Sequence, residues 1–212
     1  MKYIFEINSR TTLEESVESK HLKIIDFLKK IDPPWGIGND VVEFPRFGQG
    51  HVAQVVLNKY LGKGIKGSIF YRYRNMLSDD SSCDDRIYFE FNVKKIEYDD
   101  LVYNIFPQFI IAFEAYCAVI FDEKLIFGDF EKFRDRNLRN TVYRVYPISF
   151  FDEELCSRAF GMSSKNIAKK LETHIGVSEI ADHGLFIHNS SKFLTTEEAD
   201  EFDSQVRELL KG

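Results

Sequence analysis

Read as a pattern of apolar and polar positions, the chain opens with alternation. Tyr3, Phe5 and Ile7 stand against polar neighbours and predict a strand over 2–7. A helical stripe follows in Ile24, Ile25, Leu28 and Ile31, with Thr12-Leu-Glu-Glu15 as its capping box and Pro33-Pro34 as its stop after Asp32. Residues 41–44 predict a short strand. Val52, Val55, Val56 and Tyr60 have helical spacing and predict a helix over about 51–61, stopped by Gly62 or Gly64 in a left-handed turn. Ile69, Tyr71 and Tyr73 alternate as a strand, and 87–93 forms another. The Ser/Asp-rich stretch 78–85 between them reads as a loop.

The widest apolar face belongs to a helix opened by Asp99 and carrying Val102, Ile105, Phe106, Phe109, Ile110, Phe113 and Tyr116, with a kink expected at Pro107. Ala118 to Phe121 and Leu125 to Phe127 predict a short hairpin, and 142–151 a strand. Asp152 starts a helix to about Phe160, Ser163 or Ser164 caps another to about Leu171, 177–180 and 185–187 form a terminal hairpin, and Thr195-Thr-Glu-Glu198 opens a last helix ending near Leu210. Strands and helices alternate irregularly and hairpins recur. The prediction is one α+β unit over 1–212, a mostly antiparallel mixed sheet packed against several helices.

With 212 residues, 44% of them hydrophobic, the chain can close one sizeable core. A net charge of −6 argues against general affinity for nucleic acid or an anionic membrane. No window reaches the apolar length of a membrane span, and the first ten residues lack the apolar centre of a signal peptide. Cys83, Cys117 and Cys156 include no C-x-x-C pair and fit reduced thiols, so a cytoplasmic address is expected. Cys117, on the apolar face of the long helix, should be buried and inert.

Charge is locally segregated. From His51 to Ser78 there is no Asp or Glu, while Lys59, Lys63, Lys66, Arg72 and Arg74 occur; Asp79, Asp80, Asp84 and Asp85 follow. Lys132, Arg134, Arg136, Arg139 and Arg144 make a second basic stretch. Such patches suit a solvated surface or docking to another protein, where charge sets orientation and on-rate. Trp35, the only tryptophan, sits in a Pro/Gly loop as either a lid on the core or an interface anchor. Trp35 and the four aspartates are the candidate partner contacts. Phe70-Tyr-Arg-Tyr-Arg74 could stack on nucleic-acid bases, but alternation sends half of its rings into the core.

Catalytic and metal motifs thin out under inspection. "GKGIKG" over 62–67 matches G-x-G-x-x-G in letters, yet a dinucleotide fingerprint needs a helix after its glycines, and here strand-forming aromatics follow. "LGKGIKGSI" resembles a protein-kinase glycine loop, with Lys66, Asp135, Asn140 and Asp152 as the further parts of a degenerate ATP-dependent phosphotransferase. That set departs from the kinase pattern: "DEE" replaces D-F-G and no V-A-I-K or A-P-E is present. His183 and His188, five apart on a strand, would face opposite ways and make no metal site. The aspartate loop lacks EF-hand spacing. No cofactor or metal is expected.

The blocks Cys83-Asp-Asp-Arg-Ile-Tyr-Phe-Glu-Phe-Asn-Val93, Tyr98-Asp-Asp-Leu101 to Phe113-Glu-Ala-Tyr116, and Tyr146-Pro-Ile-Ser-Phe-Phe-Asp-Glu-Glu-Leu-Cys156 with Arg158-Ala-Phe-Gly161 resemble the small acidic immunity proteins encoded beside bacterial polymorphic toxins. That resemblance covers about the middle half of the chain. It implies a non-enzymatic cytoplasmic protein whose partner is a cognate toxin, neutralised by direct binding, and it transfers no site residues.

Overall fold

The alternating segments join one antiparallel sheet in the computed structural model, which describes residues 2–48, 51–133, 136–179, 184–188 and 192–211. The strands are β1 (Lys2–Ser9), β2 (Val52–Val56), β3 (Ile65–Arg72), β4 (Asp85–Asn92), β5 (Cys117–Asp122), β6 (Ile148–Asp152), β7 (Gly176–Glu179) and β8 (Gly184–His188). Their order across the eight-stranded sheet is β2-β3-β4-β1-β5-β6-β8-β7, with β1 central between β4 and β5. The fold is α+β, as the pattern predicts.

Seven α-helical segments accompany the sheet among the described residues: α1 (Val17–Leu28), α2 (Tyr98–Asp100), α3 (Phe106–Phe113), α4 (Lys124–Phe133), α5 (Glu153–Phe160), α6 (Ser164–Leu171) and α7 (Thr196–Lys211). One face of the sheet packs Phe5, Ile7, Ile69, Phe89, Phe91, Ile120 and Phe150 against α1, α3 and Trp35. Phe5 alone meets Trp35, Phe89, Phe106 and Phe109, with ring centroids 5.2–6.1 Å apart. Burying each such ring contributes roughly 1.5–3 kcal/mol. The opposite face is covered over β6 and β8 by α5, α6 and α7, and over β1 and β5 by Leu125 of α4, Tyr146 and Ala199. On β3 and β4 burial alternates strictly, so that second face is only half-buried there. No helix among the described residues is long and apolar enough to cross a membrane.

Local chemistry explains most boundaries. The Asp152 carboxylate accepts from the Leu155 amide at 2.7 Å and caps α5, and Gly161 ends that helix with φ 66°. Ser163 caps α6. Thr195 and Glu198 close the expected capping box of α7, with the Thr195 amide donating to Glu198 Oε2 at 2.8 Å and the Glu198 amide donating to Thr195 Oγ1 at 3.3 Å.

Several expectations are corrected. Residues 52–56 are strand β2, not a helix: three of the five are β-branched valines, and pairing with β3 buries Ala53 and Val55. Residues 41–44 form no strand; that segment meets the sheet through one bridge, Phe47 to Ala53. The cap of α1 is Ser16, whose hydroxyl accepts from the Ser19 amide at 3.1 Å, and the helix stops at Leu28 ahead of the prolines. Leu125 to Phe127 lie in α4, not a hairpin. The long helix is interrupted by a π-helical stretch, Leu101–Ile105, immediately before the turn that carries Pro107, and Glu114 closes it with φ 52°. Tyr116 and Cys117 therefore leave the helix, and Cys117 begins β5. The strand expected over 142–151 is confined to β6. The terminal hairpin forms; Ile180 lies outside the described residues.

Candidate functional site

The acidic loop and the second basic stretch fold onto one another. Asp84 is 4% exposed; it accepts from the Tyr116 hydroxyl at 2.5 Å and from Arg139 Nε at 2.8 Å. Burial pushes its carboxyl above the usual carboxylate range, against the pull of Tyr116 and Arg139. Arg139 also donates to the Ser78 carbonyl at 3.1 Å and pairs with Asp79, which meets Arg158 at 3.1 Å. Asp85 is fully buried beneath Arg74, with Nη2 at 2.6 Å, and accepts from the Arg72 amide at 2.8 Å. Asp80 caps the 3-10 turn Ser81–Cys83. Asn137 ties both segments together by accepting from the Ser81 amide at 3.0 Å and donating to the Asp79 carbonyl at 2.7 Å.

These pairings place the expected partner contacts within the fold. Asp84 and Asp85 are spent on internal arginines, and Trp35 is 1% exposed, edge-on to Phe5, Phe89 and Phe91. It is the lid on the core. Asp79 is exposed and Asp80 half-buried, so these two remain at the surface. The stretch 70–74 likewise puts Tyr71 in the core, with its hydroxyl 3.2 Å from His21 Nδ1.

The glycine turn has a structural reason at each glycine. A Cβ on Gly62 would lie 2.4 Å from Pro34 Cβ, Gly64 has φ 100°, and a Cβ on Gly67 would lie 2.6 Å from the Phe89 ring. Lys66 pairs with Glu90 at 3.5 Å. The described remainder of the phosphotransferase set, Asn140 and Asp152, is elsewhere. Asn140 accepts from Arg158 at 2.8 Å, Asp152 is bound to Arg10 and caps α5, and Arg134 and Asp135 lie outside the described residues. The Gly64 carbonyl accepts from Asn92, which pairs with Lys2, whereas Asp152 is bonded through Tyr116 to Asn8 at the other end of β1. Six extended residues separate those ends by ~20 Å. The glycine turn and Asp152 share no site. No cluster of three His, Cys, Asp or Glu side chains able to hold a metal occurs among the described residues, and His183 lies outside them.

The open feature is the outer edge of the sheet. β2 is the edge strand, and beside it runs the segment 41–48. Besides the Phe47–Ala53 bridge, side chains pin that segment: the Tyr60 hydroxyl donates to the Val41 carbonyl at 3.1 Å, Phe44 packs 5.1 Å from His21, and Phe47 sits edge-on to Tyr73 at 5.4 Å. Between 42–46 and 54–60 lies a cleft of about 490 Å³. Val41, Phe44, Phe47, Val56 and Tyr73 around it are all exposed, with Val41 at 81%. Five of the nine large exposed hydrophobics described thus gather at one edge, where scattered single exposures would need no explanation.

Of these residues only Tyr73, within the 70–74 stretch, was among the sequence candidates. The signal available was the valine-rich run 52–56 within a stretch free of carboxylates, which helical spacing of its apolar positions obscured. No protein-family model matches the chain, and no curated protein matches it significantly.

Proposed function

We propose that the chain is a non-catalytic protein-binding module that engages its partner along the β2 edge. In the reading added by the immunity-protein resemblance, it acts in the bacterial cytoplasm and neutralises a cognate toxin by direct binding. The observation that carries the proposal is the edge strand with five exposed apolar side chains gathered beside a cleft of about 490 Å³. An uncovered edge is a template for pairing with another chain and is ordinarily blunted. The internal pairing of the acidic loop with Arg74, Arg139 and Arg158 supports it from the other side, since those charges are used in holding the fold together.

Co-expression with the product of the adjacent gene, followed by purification through a tag on one partner, tests the reading. A stoichiometric complex that abolishes the partner's toxicity is expected, together with an unchanged melting temperature on adding ATP and magnesium. A melting temperature raised by ATP and magnesium, with no complex formed, overturns it in favour of a phosphotransferase, because a ligand selective for the folded state must stabilise it.

A further inference from the structure

We infer that the cleft beside β2 receives an extended, acidic and apolar segment of the partner protein, which adds to the sheet edge. This rests on the protein-binding reading and specifies its ligand. The backbone supplies the first argument. The Tyr73 amide donates to the His51 carbonyl at 3.0 Å and the Leu57 amide to the Gly67 carbonyl at 2.8 Å. Residues 51, 53, 55 and 57 therefore face β3, and by the antiparallel alternation Val52, Gln54 and Val56 turn their backbone groups outward. The Val52 carbonyl is already taken by the Gly48 amide at 3.4 Å. The Gln54 carbonyl and both backbone groups of Val56 point into the cleft, where an added strand bonds them.

Charge supplies the second argument. Arg46 and Lys59 line the cleft with Glu43 as the one carboxylate, and Lys63 follows on the same hairpin. Lys59 rests over the Tyr60 ring at 4.7 Å within the field of Glu43 and Asp40 but without a salt bridge, and neither Arg46 nor Lys63 has an ion pair among the described residues. In a chain of net charge −6, this hairpin is locally basic. A second copy of the same edge fits poorly, because symmetric β2 pairing would bring these cations together. A polyanionic nucleic acid would satisfy the cations but leave Val41, Phe44 and Val56 without apolar partners.

Selection of phage-displayed random dodecapeptides on the intact chain, with fluorescence-polarisation titration of the enriched sequences, tests the inference. Peptides of net negative charge with apolar residues at alternate positions are expected. Their affinity should fall at least tenfold in Val56→Pro, which deletes an outward amide without costing a ladder bond to β3, and comparably in the double reversal Arg46→Glu, Lys59→Glu. The intrinsic fluorescence of buried Trp35 on thermal unfolding checks that both variants fold. An empty selection, enriched peptides that are basic or uncharged, affinity that survives both variants, or an oligothymidylate that competes fully for the cleft overturns the inference. Binders that survive the variants leave the protein-binding reading standing on the co-purification result, so the two can fail separately.

Discussion

Removing Arg139 should destabilise the protein by far more than a surface ion pair could. Asp84 and Arg139 are 4% and 5% exposed, and the carboxylate's Oδ1 accepts from Nε at 2.8 Å with Nη2 of the same guanidinium 2.6 Å from that oxygen. Arg139→Met keeps the apolar stem and leaves Asp84 with the Tyr116 hydroxyl as its remaining described donor. Breaking one side of a buried pair costs about 3–5 kcal/mol, a fifth or more of the ~5–15 kcal/mol that holds a typical domain. Urea unfolding followed by the fluorescence of Trp35, the single tryptophan, reports the loss. The pH dependence carries the sharper test. Burial raises the folded-state pKa of Asp84, and without Arg139 it rises further. Stability tied to a raised carboxyl is lost as pH climbs above the unfolded value, about 3.9, towards the folded one. The gap between variant and wild type should therefore narrow from pH 7 to pH 5, and Asp84→Asn in the Arg139→Met background should recover at least half of the loss at pH 7. A deficit below ~1 kcal/mol, the range of exposed pairs, or one that is equal at both pH values, would refute the assignment of Asp84–Arg139 as a buried, mutually dependent pair.

Three further outcomes follow from the packing. Gly67→Ala should lose about 1–3 kcal/mol by thermal unfolding because its methyl meets the Phe89 ring, whereas Gly128→Ala, in α4 with open space around its Cβ, should gain about 0.5–1 kcal/mol. Trp35→Ala should cost about 3–5 kcal/mol by urea unfolding monitored by circular dichroism, and a cost under ~1 kcal/mol would return the ring to the surface. Burial holds His21 below its ordinary pKa, so the unfolded chain binds the proton more readily. Wild-type stability should decline as pH falls below about 6.5, by at most ~1.4 kcal/mol per unit for that proton, and His21→Gln should flatten the slope in urea midpoints between pH 7.5 and 5.5. The flattening is partial because His188, also depressed by burial, adds the same sign.

What the chain wrote locally could be read locally. Helices α5, α6 and α7 carry their own start signals in Asp152, Ser163 and Thr195, and β3 and β4 alternate because one face of each is buried. Where a segment's state is set by what it pairs with, the pattern misled. Val52, Val55 and Val56 satisfy a helical spacing and a strand equally; β3 decides, because its register with β2 places Ala53 and Val55 in the core. Leu125 to Phe127 read as a strand of a hairpin, yet Leu125 finds its place against Phe121 and Tyr146 only from a helix. For α1, two hydroxyl-bearing starts competed, and Ser16 won while Thr11, beside the expected box, turned its hydroxyl to the Cys83 carbonyl at 2.8 Å.

The candidate site failed to show in the sequence for a different reason. A run of like charge looks the same whether it faces solvent or an opposite run brought over it by the fold, and neither Arg139 nor Asp84 announces a partner about 55 residues away. Here the fold cancels the most conspicuous charges against each other: Asp79 and Asp84 with Arg139 and Arg158, Asp85 with Arg74, Asp129 and Asp200 with Arg144. The basic hairpin around Lys59 and Lys63 is less fully compensated: Glu43 and Asp40 act on Lys59 without a salt bridge, Lys63 has no ion pair among the described residues, and the hairpin lies where the sheet ends without a covering strand. Charge left over after internal pairing, next to backbone groups left over after sheet pairing, is a more discriminating mark of a binding surface than either charge or apolar exposure alone. By that measure the edge of β2, and not the aspartate loop, is the surface proposed for docking.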